Sequence, residues 1–144
     1  MKTFAIRNGD LSIGPGGFET ISGAKKLRQD ISMAIGEEYG NDRFHPQWGS
    51  VLINMVGTTI TQETEFAVRS EVARVIQQYI DIQRTENLHD TMSFRRSRYS
   101  TAEIIRAIED ISAETSLDTI RIRIRLRTVE GQMITLARTV DLNA

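Results

Sequence analysis

The residue types that most often perform catalysis are scarce in this sequence. His45 and His89 are its only histidines, and it contains no cysteine. Neither histidine has a serine or a second histidine at the spacing of a catalytic triad or a zinc site. We therefore predict that the protein is not an enzyme and that it has no catalytic, cofactor-binding or metal-binding residue.

Paired carboxylates offer one enzymatic alternative, a small peptidoglycan hydrolase similar to lysozyme. Glu37 and Glu38, with Asp30 before them and Asp42 after, could supply the two carboxyl groups that a glycosidase holds about 5 to 9.5 Å apart. Such a pair needs an apolar pocket that separates the two pKa values. The glycines and polar residues around these glutamates indicate an exposed helix end instead.

Four arginines form the clearest charge pattern in the chain. They alternate with aliphatic residues over 120–127, and they are Arg121, Arg123, Arg125 and Arg127. A period of two predicts a strand with one buried face and one charged face. Because no aromatic residue that could stack on bases lies between them, the pattern favours an acidic protein partner over a nucleic acid. A nucleic-acid-binding adaptor stays as a third functional alternative. The arginines could also have a purely structural role, as a solvated face that prevents unwanted strand pairing.

A second basic segment contains Arg95, Arg96 and Arg98 between Phe94 and Tyr99, with neither a helical nor a strand period. Ordering it would cost about 1 to 2 kcal/mol per residue in backbone entropy, with little apolar burial to offset that cost. We predict that this loop is mobile in the isolated protein and becomes ordered against an acidic partner.

Length and composition bound the fold. The chain has 144 residues, a formal net charge of −1 and 40% hydrophobic residues, which is typical of one soluble globular domain. No run approaches the roughly 18 apolar residues of a membrane span, and the first residues lack a signal-peptide core. We expect a protein that is assembled in a cytoplasm and has no membrane partner.

Apolar residues at helical spacing predict three main helices, over about 23–35, 62–82 and 101–112. Ser100 and Glu103 have capping-box spacing before the third. A short buried segment over 51–56 is predicted to be helical. Residues 83–99 are predicted to be loop.

Two runs near the C-terminus predict a hairpin, because the alternating strand over 120–127 is followed by a second strand over 133–142. A three-residue loop with Gly131 at positive φ would place Leu126 opposite Leu136 and Ile120 opposite Leu142. Arg138 opposite Ile124 is the one poor match in this register.

These elements predict an α+β fold in which three main helices pack on a C-terminal antiparallel hairpin. We divide the single domain into an N-terminal strand and flexible arm (1–21), a helical core (22–82), an arginine-rich loop with an extra helix (83–117) and the hairpin (118–144). A turn over 43–50 joins parts of the helical core, and we expect Trp48 within it to be mostly buried.

The order of these features resembles the small baseplate wedge proteins, or sheath initiators, of contractile phage tails and type VI secretion-like contractile injection systems. The resemblance covers about 22–82 and 118–142. Its most specific element is an aromatic-x-Pro-x-aromatic-Gly turn, matched by Phe44, Pro46, Trp48 and Gly49. The chain departs from many members over 80–82, where Ile-Asp-Ile replaces their Glu-Pro-Arg contact with the wedge core.

The resemblance implies a structural subunit of the tail baseplate of a virion, assembled in the host bacterial cytoplasm. In this family the initiator offers a small sheet to which a strand of the sheath is added. The implied partners are the tail sheath protein, other baseplate wedge proteins and the central hub or tube-initiating proteins. By this interpretation the arginines of the hairpin and of the 94–99 loop contact partners.

Overall fold

A computed structural model describes residues 1–55, 57 and 59–141. Two long helices, α1 (Gly23–Gly36) and α2 (Gln62–Met92), pack on one face of a three-stranded antiparallel sheet. The strands of that sheet are β7 (Ile105–Ser116), β8 (Thr119–Thr128) and β9 (Met133–Asp141), in the order β7-β8-β9. The predicted architecture of three main helices on a hairpin is therefore wrong.

The first helix forms as predicted. Its apolar stripe of Leu27, Ile31 and Ile35 is buried, and it ends one residue later than expected, at Gly36. On β9 the Arg138 side chain faces this helix, and its Nη1 donates to the Ser32 carbonyl over 2.9 Å. A cation near a helix C-terminus interacts favourably with the negative end of the helix dipole.

The second helix is longer than the predicted 62–82. It begins with a capping box between Thr61 and Thr64 and continues to Met92. The extension depends on Gln83, which is 1% exposed and whose amide donates to the Glu103 carbonyl over 2.7 Å and accepts from the Ile105 amide over 3.1 Å. Gln83 is polar and follows the last residue of the predicted apolar stripe, so the sequence predicts that the helix ends there. The side chain is instead buried in the core, where its partners come from a distant part of the chain.

The predicted third helix over 101–112 is wrong, because most of this segment belongs to β7. Two β-bulges, between Ile105 and Ala107 and between Ile108 and Asp110, each insert one residue into the strand. Ile105, Ile108 and Ile111 therefore lie opposite inward-facing residues of β8 at intervals of three. Two bulges thus give a strand the residue spacing of a helix.

The hairpin forms with the predicted loop length but with its register shifted by two residues. Leu126 lies opposite Ile134, and Arg138 lies opposite Ile122. The Gly131 amide donates to the Thr128 carbonyl over 2.9 Å, and the Thr128 amide donates to the Gln132 carbonyl over 3.0 Å. This pattern defines a three-residue loop that ends in Gly131 at φ +93°. The predicted partner of Ile120, Leu142, lies outside the described residues.

The N-terminal segment forms a ribbon of short strands, where the sequence predicts one strand and an arm. Its six two-residue strands form three short antiparallel ladders, and they are β1 (Thr3–Phe4), β2 (Ile6–Arg7), β3 (Asp10–Leu11), β4 (Ile13–Gly14), β5 (Gly17–Phe18) and β6 (Thr20–Ile21). Asn8 and Gly9 both have positive φ, as a type I′ turn between two strands requires. The Gln29 side chain of α1 binds the Ile6 amide over 2.8 Å, which ties the ribbon to the helices.

The connection between the helices contains a 3₁₀ helix, Leu52–Met55, within the segment predicted as 51–56; Val56 itself lies outside the described residues. The core between the helices and the sheet is aliphatic, with Ile76, Ile122, Ile124 and Leu126 no more than 1% exposed. Across the described part of the chain, no helix combines the length and the hydropathy that membrane crossing requires.

Candidate functional site

The arginines of β8 lie on the sheet face that points away from the helices. Arg121, Arg123, Arg125 and Arg127 are exposed, whereas the residues between them are buried. Arg127 Nε lies 2.6 Å from Glu109 Oε1 on β7. Within the described residues, the other three arginines make no ion pair shorter than 4.0 Å.

The two neighbours of β8 give this face an asymmetric charge. On the β7 side, Glu114 lies opposite Arg121 and Asp110 lies opposite Arg125. On the β9 side, the corresponding positions carry threonine and alanine, namely Thr135, Ala137 and Thr139. These side chains are short and uncharged, so among the described residues of β9 the only acidic side chain on this face is Asp141, which lies opposite Thr119 and diagonal to Arg121.

The sheet has two edge strands, and neither is the arginine strand. The predicted two-stranded hairpin is part of a three-stranded sheet, in which β7 and β9 flank β8 on both sides. The amide of Thr128 bonds to Gln132, so by antiparallel alternation the even-numbered residues of β9 pair with β8. The amides of Thr135, Ala137 and Thr139 therefore point out of the sheet edge.

The second arginine group is only partly available to a partner. Arg98 forms a bidentate pair with Asp90, with Nε 3.0 Å from Oδ2 and Nη2 2.9 Å from Oδ1, and its Nη1 lies 3.3 Å from Glu86 Oε1. The Arg98 guanidinium lowers the pKa of the Asp90 carboxyl to about 2. The predicted loop is thus fixed to α2 at this residue by contacts within the chain.

The turn closed by the Arg98–Asp90 pair presents an aromatic side chain and two cations. Phe94 is 99% exposed and has φ +52°, a conformation that bulky residues rarely adopt. Arg95 and Arg96 are exposed, and no ion pair links either to another described residue. The Arg95 amide donates to the Asp90 carbonyl over 2.8 Å, which helps to hold this shape.

The aromatic-proline turn is shaped by one glycine. Gly49 is buried at φ +92°, and a Cβ at this position would lie 2.7 Å from the Glu37 carbonyl oxygen. The next amide, of Ser50, donates to that carbonyl over 2.7 Å. Only glycine allows the turn to approach the end of α1 so closely.

The other members of the turn motif differ in their exposure. Phe44 is 90% exposed and Pro46 is exposed, whereas Trp48 is mostly buried, as expected. The Trp48 ring stacks on the His45 ring with centroids 4.6 Å apart. The motif therefore places an aromatic pair at the surface next to α1 and α2.

This turn, α1 and α2 enclose a cleft of about 360 Å³, whose walls include Met33, Glu37, Trp48, Tyr79, Glu86 and Tyr99. At its base Asp30 pairs with Lys26 and accepts from the Tyr79 hydroxyl over 2.8 Å. Burial, together with the Asp30 carboxylate, raises the pKa of the Tyr79 phenol far above its usual range. The sequence singles out Asp30, Glu37, His45 and Trp48 separately, but nothing in it indicates that they line one cleft with Tyr79.

Of the carboxyl groups suggested for glycoside hydrolysis, Asp30 and Glu37 line the same cleft. Glu37 borders the cleft, whereas Glu38 is exposed and is not part of its lining. The Phe44 amide, followed by the His45 side chain, lowers the pKa of Asp42. The other described carboxyl groups with a displaced pKa, Glu71, Asp90 and Glu103, are also shifted downward, opposite to what a general acid needs.

Comparison with solved structures finds a similar fold. A protein from Geobacter sulfurreducens that bears the provisional name tail lysozyme superposes with a TM-score of 0.58, at 16% sequence identity, over 86% of this chain and 96% of its own. The likeness shows a shared fold. No family model matches the chain, and no curated protein matches it significantly by sequence.

Proposed function

We propose that this protein is a non-enzymatic structural subunit of the baseplate of a contractile tail, where it nucleates sheath assembly by accepting a strand at the edge of its sheet. The observation that carries the proposal is the exposed, regular edge of β9 beside a row of arginines that have no charged residue directly opposite them on β9. The fold shared with a protein called a tail lysozyme, and the resemblance of the turn motif to sheath initiators, support a tail location in a virion.

The β9 edge suits strand addition better than the β7 edge. All nine residues of β9 pair with β8 in one unbroken register, so its outward N–H and C=O groups are regularly spaced. The edge of β7 is interrupted by two bulges, a feature that prevents pairing at exposed edges. A strand added to β9 would find ordered donors and acceptors along its length.

The arginines give the β9 edge its selectivity. Arg123 and Arg125 lie opposite Ala137 and Thr135, whose short side chains leave room for the guanidinium groups to reach beyond β9. A strand with Asp or Glu at alternate positions would pair with them, whereas a second copy of this positively charged face would be repelled. The tail sheath protein is the partner we propose for this edge, with wedge and hub proteins contacting other surfaces.

The proposal is tested by two kinds of variant in a sheath assembly assay. The double variant Arg123→Glu and Arg125→Glu keeps the fold, because both side chains are exposed, but yields baseplates on bare tubes.

Thr135→Pro and Ala137→Pro each remove an N–H that points out of the edge, so the internal ladder with β8 survives while docking is lost. Leu136→Pro is the matched control, since it removes an N–H bonded to β8 and therefore destabilises the fold. Sheaths of normal length and frequency on the first three variants would contradict the proposal.

A peptidoglycan hydrolase is the second candidate, because the similar Geobacter protein is called a tail lysozyme and Glu37 borders a cleft. This function predicts that the purified protein cleaves peptidoglycan and that Glu37→Gln abolishes the cleavage. Glu38→Gln is the matched control, because this neighbour is exposed and is not part of the cleft lining.

A further inference from the structure

The cleft between the aromatic-proline turn, α1 and α2 contains an uncommitted negative charge. Lys26 pairs with Asp30, and Arg98 pairs with Asp90 and Glu86, so each cation beside the cleft already has a carboxylate partner. The Glu37 side chain is half-buried and, within the described residues, makes neither a hydrogen bond nor an ion pair. A cation supplied from outside would complete the charge balance.

The walls of the cleft suit a planar cation. Trp48, Tyr79 and Tyr99 line it, and aromatic faces attract guanidinium groups, which stack on them more readily than ammonium groups do. The protein already makes one such contact, with Arg74 Cζ 5.3 Å from the centre of the Tyr39 ring, and an ammonium contact at the cleft itself, with Lys26 Nζ 5.8 Å from the centre of the Tyr99 ring. Apolar side chains such as Met33 and Ile82 also line the cleft and can contact residues beside an arginine.

We propose that this cleft binds an arginine side chain presented between apolar residues on a segment of a partner protein. Glu37 pairs with the guanidinium, the tryptophan and tyrosine rings contact its plane, and Met33 and Ile82 contact the apolar neighbours. The occupant is chosen by charge complementarity, since the uncommitted group is a carboxylate. The surface lies on the helical side of the molecule, so it is independent of the arginine face of the sheet and of sheath docking.

A direct test uses Trp48, the single tryptophan of the sequence, as a fluorescent reporter in the cleft. The intact protein is titrated with a blocked Leu-Arg-Leu peptide, with the matched Leu-Gln-Leu peptide and with a chitin oligosaccharide, and calorimetry provides a second readout. The arginine peptide should change the emission saturably and bind at least about tenfold more tightly than the glutamine peptide, the difference expected for one charge-assisted hydrogen-bonded pair. Added salt should weaken this binding.

Two variants separate Glu37 from general surface charge. Glu37→Gln should weaken the arginine peptide about tenfold, to the level of the glutamine peptide, whereas Glu38→Gln should bind as the unaltered protein does. Since the Glu37 side chain bonds to no other residue in the described part of the chain, circular dichroism should show an unchanged fold. The proposal would be overturned by equal affinity for the two peptides or by full affinity in Glu37→Gln. It would also be overturned if no saturable response appeared up to about 10 mM peptide, because this concentration is far above the Kd of a specific peptide site. A response to the oligosaccharide alone would assign the cleft to glycans instead.

Discussion

Replacing Gly49 by alanine tests the structural reason for the aromatic-proline turn. The added Cβ would meet the Glu37 carbonyl oxygen and the Glu38 carbonyl carbon, each at 2.7 Å, well inside contact distance. Both are backbone atoms, so the turn must move away from the end of α1. The 2.7 Å hydrogen bond from the Ser50 amide to the Glu37 carbonyl would lengthen or break as a result.

The magnitude has two parts. An alanine at positive φ costs about 1 to 2 kcal/mol, and displacing packed backbone costs about 1 to 3 kcal/mol more. Gly131→Ala isolates the first part, because Gly131 has nearly the same φ, +93°, and no atom lies within 4 Å of the Cβ it would gain. We expect Gly49→Ala to lower the free energy of unfolding by about 2 to 5 kcal/mol and Gly131→Ala by about 1 to 2 kcal/mol.

Urea denaturation followed by far-ultraviolet circular dichroism measures both variants on one scale, and an unchanged m-value confirms that the unfolding transitions are comparable. The emission of Trp48 should shift only in Gly49→Ala, because Trp48 is the adjacent residue. Equal losses of stability in the two alanine variants would refute the reasoning, since they would show that the close approach of the turn to α1 contributes nothing.

Two further predictions concern the segment that follows α2. Phe94→Gly should stabilise the fold by up to about 1 kcal/mol, because it relieves the positive φ of this residue. Phe44→Gly, at a similarly exposed position without positive φ, should destabilise the fold by about 0.5 to 1 kcal/mol. If Phe94→Gly lost as much stability as Phe44→Gly, the backbone at Phe94 would not be strained. The pKa of Asp90 is lowered from 3.8 to about 2, so its pair with Arg98 stabilises the fold fully above pH 4 and loses that effect as the pH falls toward 2. Thermal melting of Asp90→Asn and of the unaltered protein should therefore differ most above pH 4 and converge toward pH 2, and a difference independent of pH would show that the charge of Asp90 is not what stabilises the turn.

Local patterns predict those elements whose period is uninterrupted. The strand over 120–127, the first helix and the core of the second helix each follow one period, and all three form. The same is true of the three-residue hairpin loop with Gly131, although its position along the chain is shifted by one residue. That shift moves the register by two and keeps every side chain on its predicted face.

The elements that could not be predicted depend on contacts between distant residues. The isoleucines of β7 are spaced like those of a helix because of two bulges, which have no signal in a single sequence. The last ten residues of α2 depend on Gln83, whose partners Glu103 and Ile105 are 20 and 22 residues away. The candidate site was predictable to the same extent. The alternating pattern predicts that the arginines of β8 are exposed, but it does not predict that β7 pairs with one side of β8.

Residue-resolved hydrogen exchange of the β9 amides, with and without the sheath protein proposed as its partner, tests strand addition most directly. In the isolated protein the amides of Ile134, Leu136 and Arg138, which bond to β8, should exchange slowly, and those of Thr135, Ala137 and Thr139 should exchange fast. Strand addition predicts that the sheath protein slows exchange at the second set while the β7 edge stays unchanged. If the sheath protein binds and these three amides still exchange as fast as before, docking does not use the β9 edge, and the central claim is wrong.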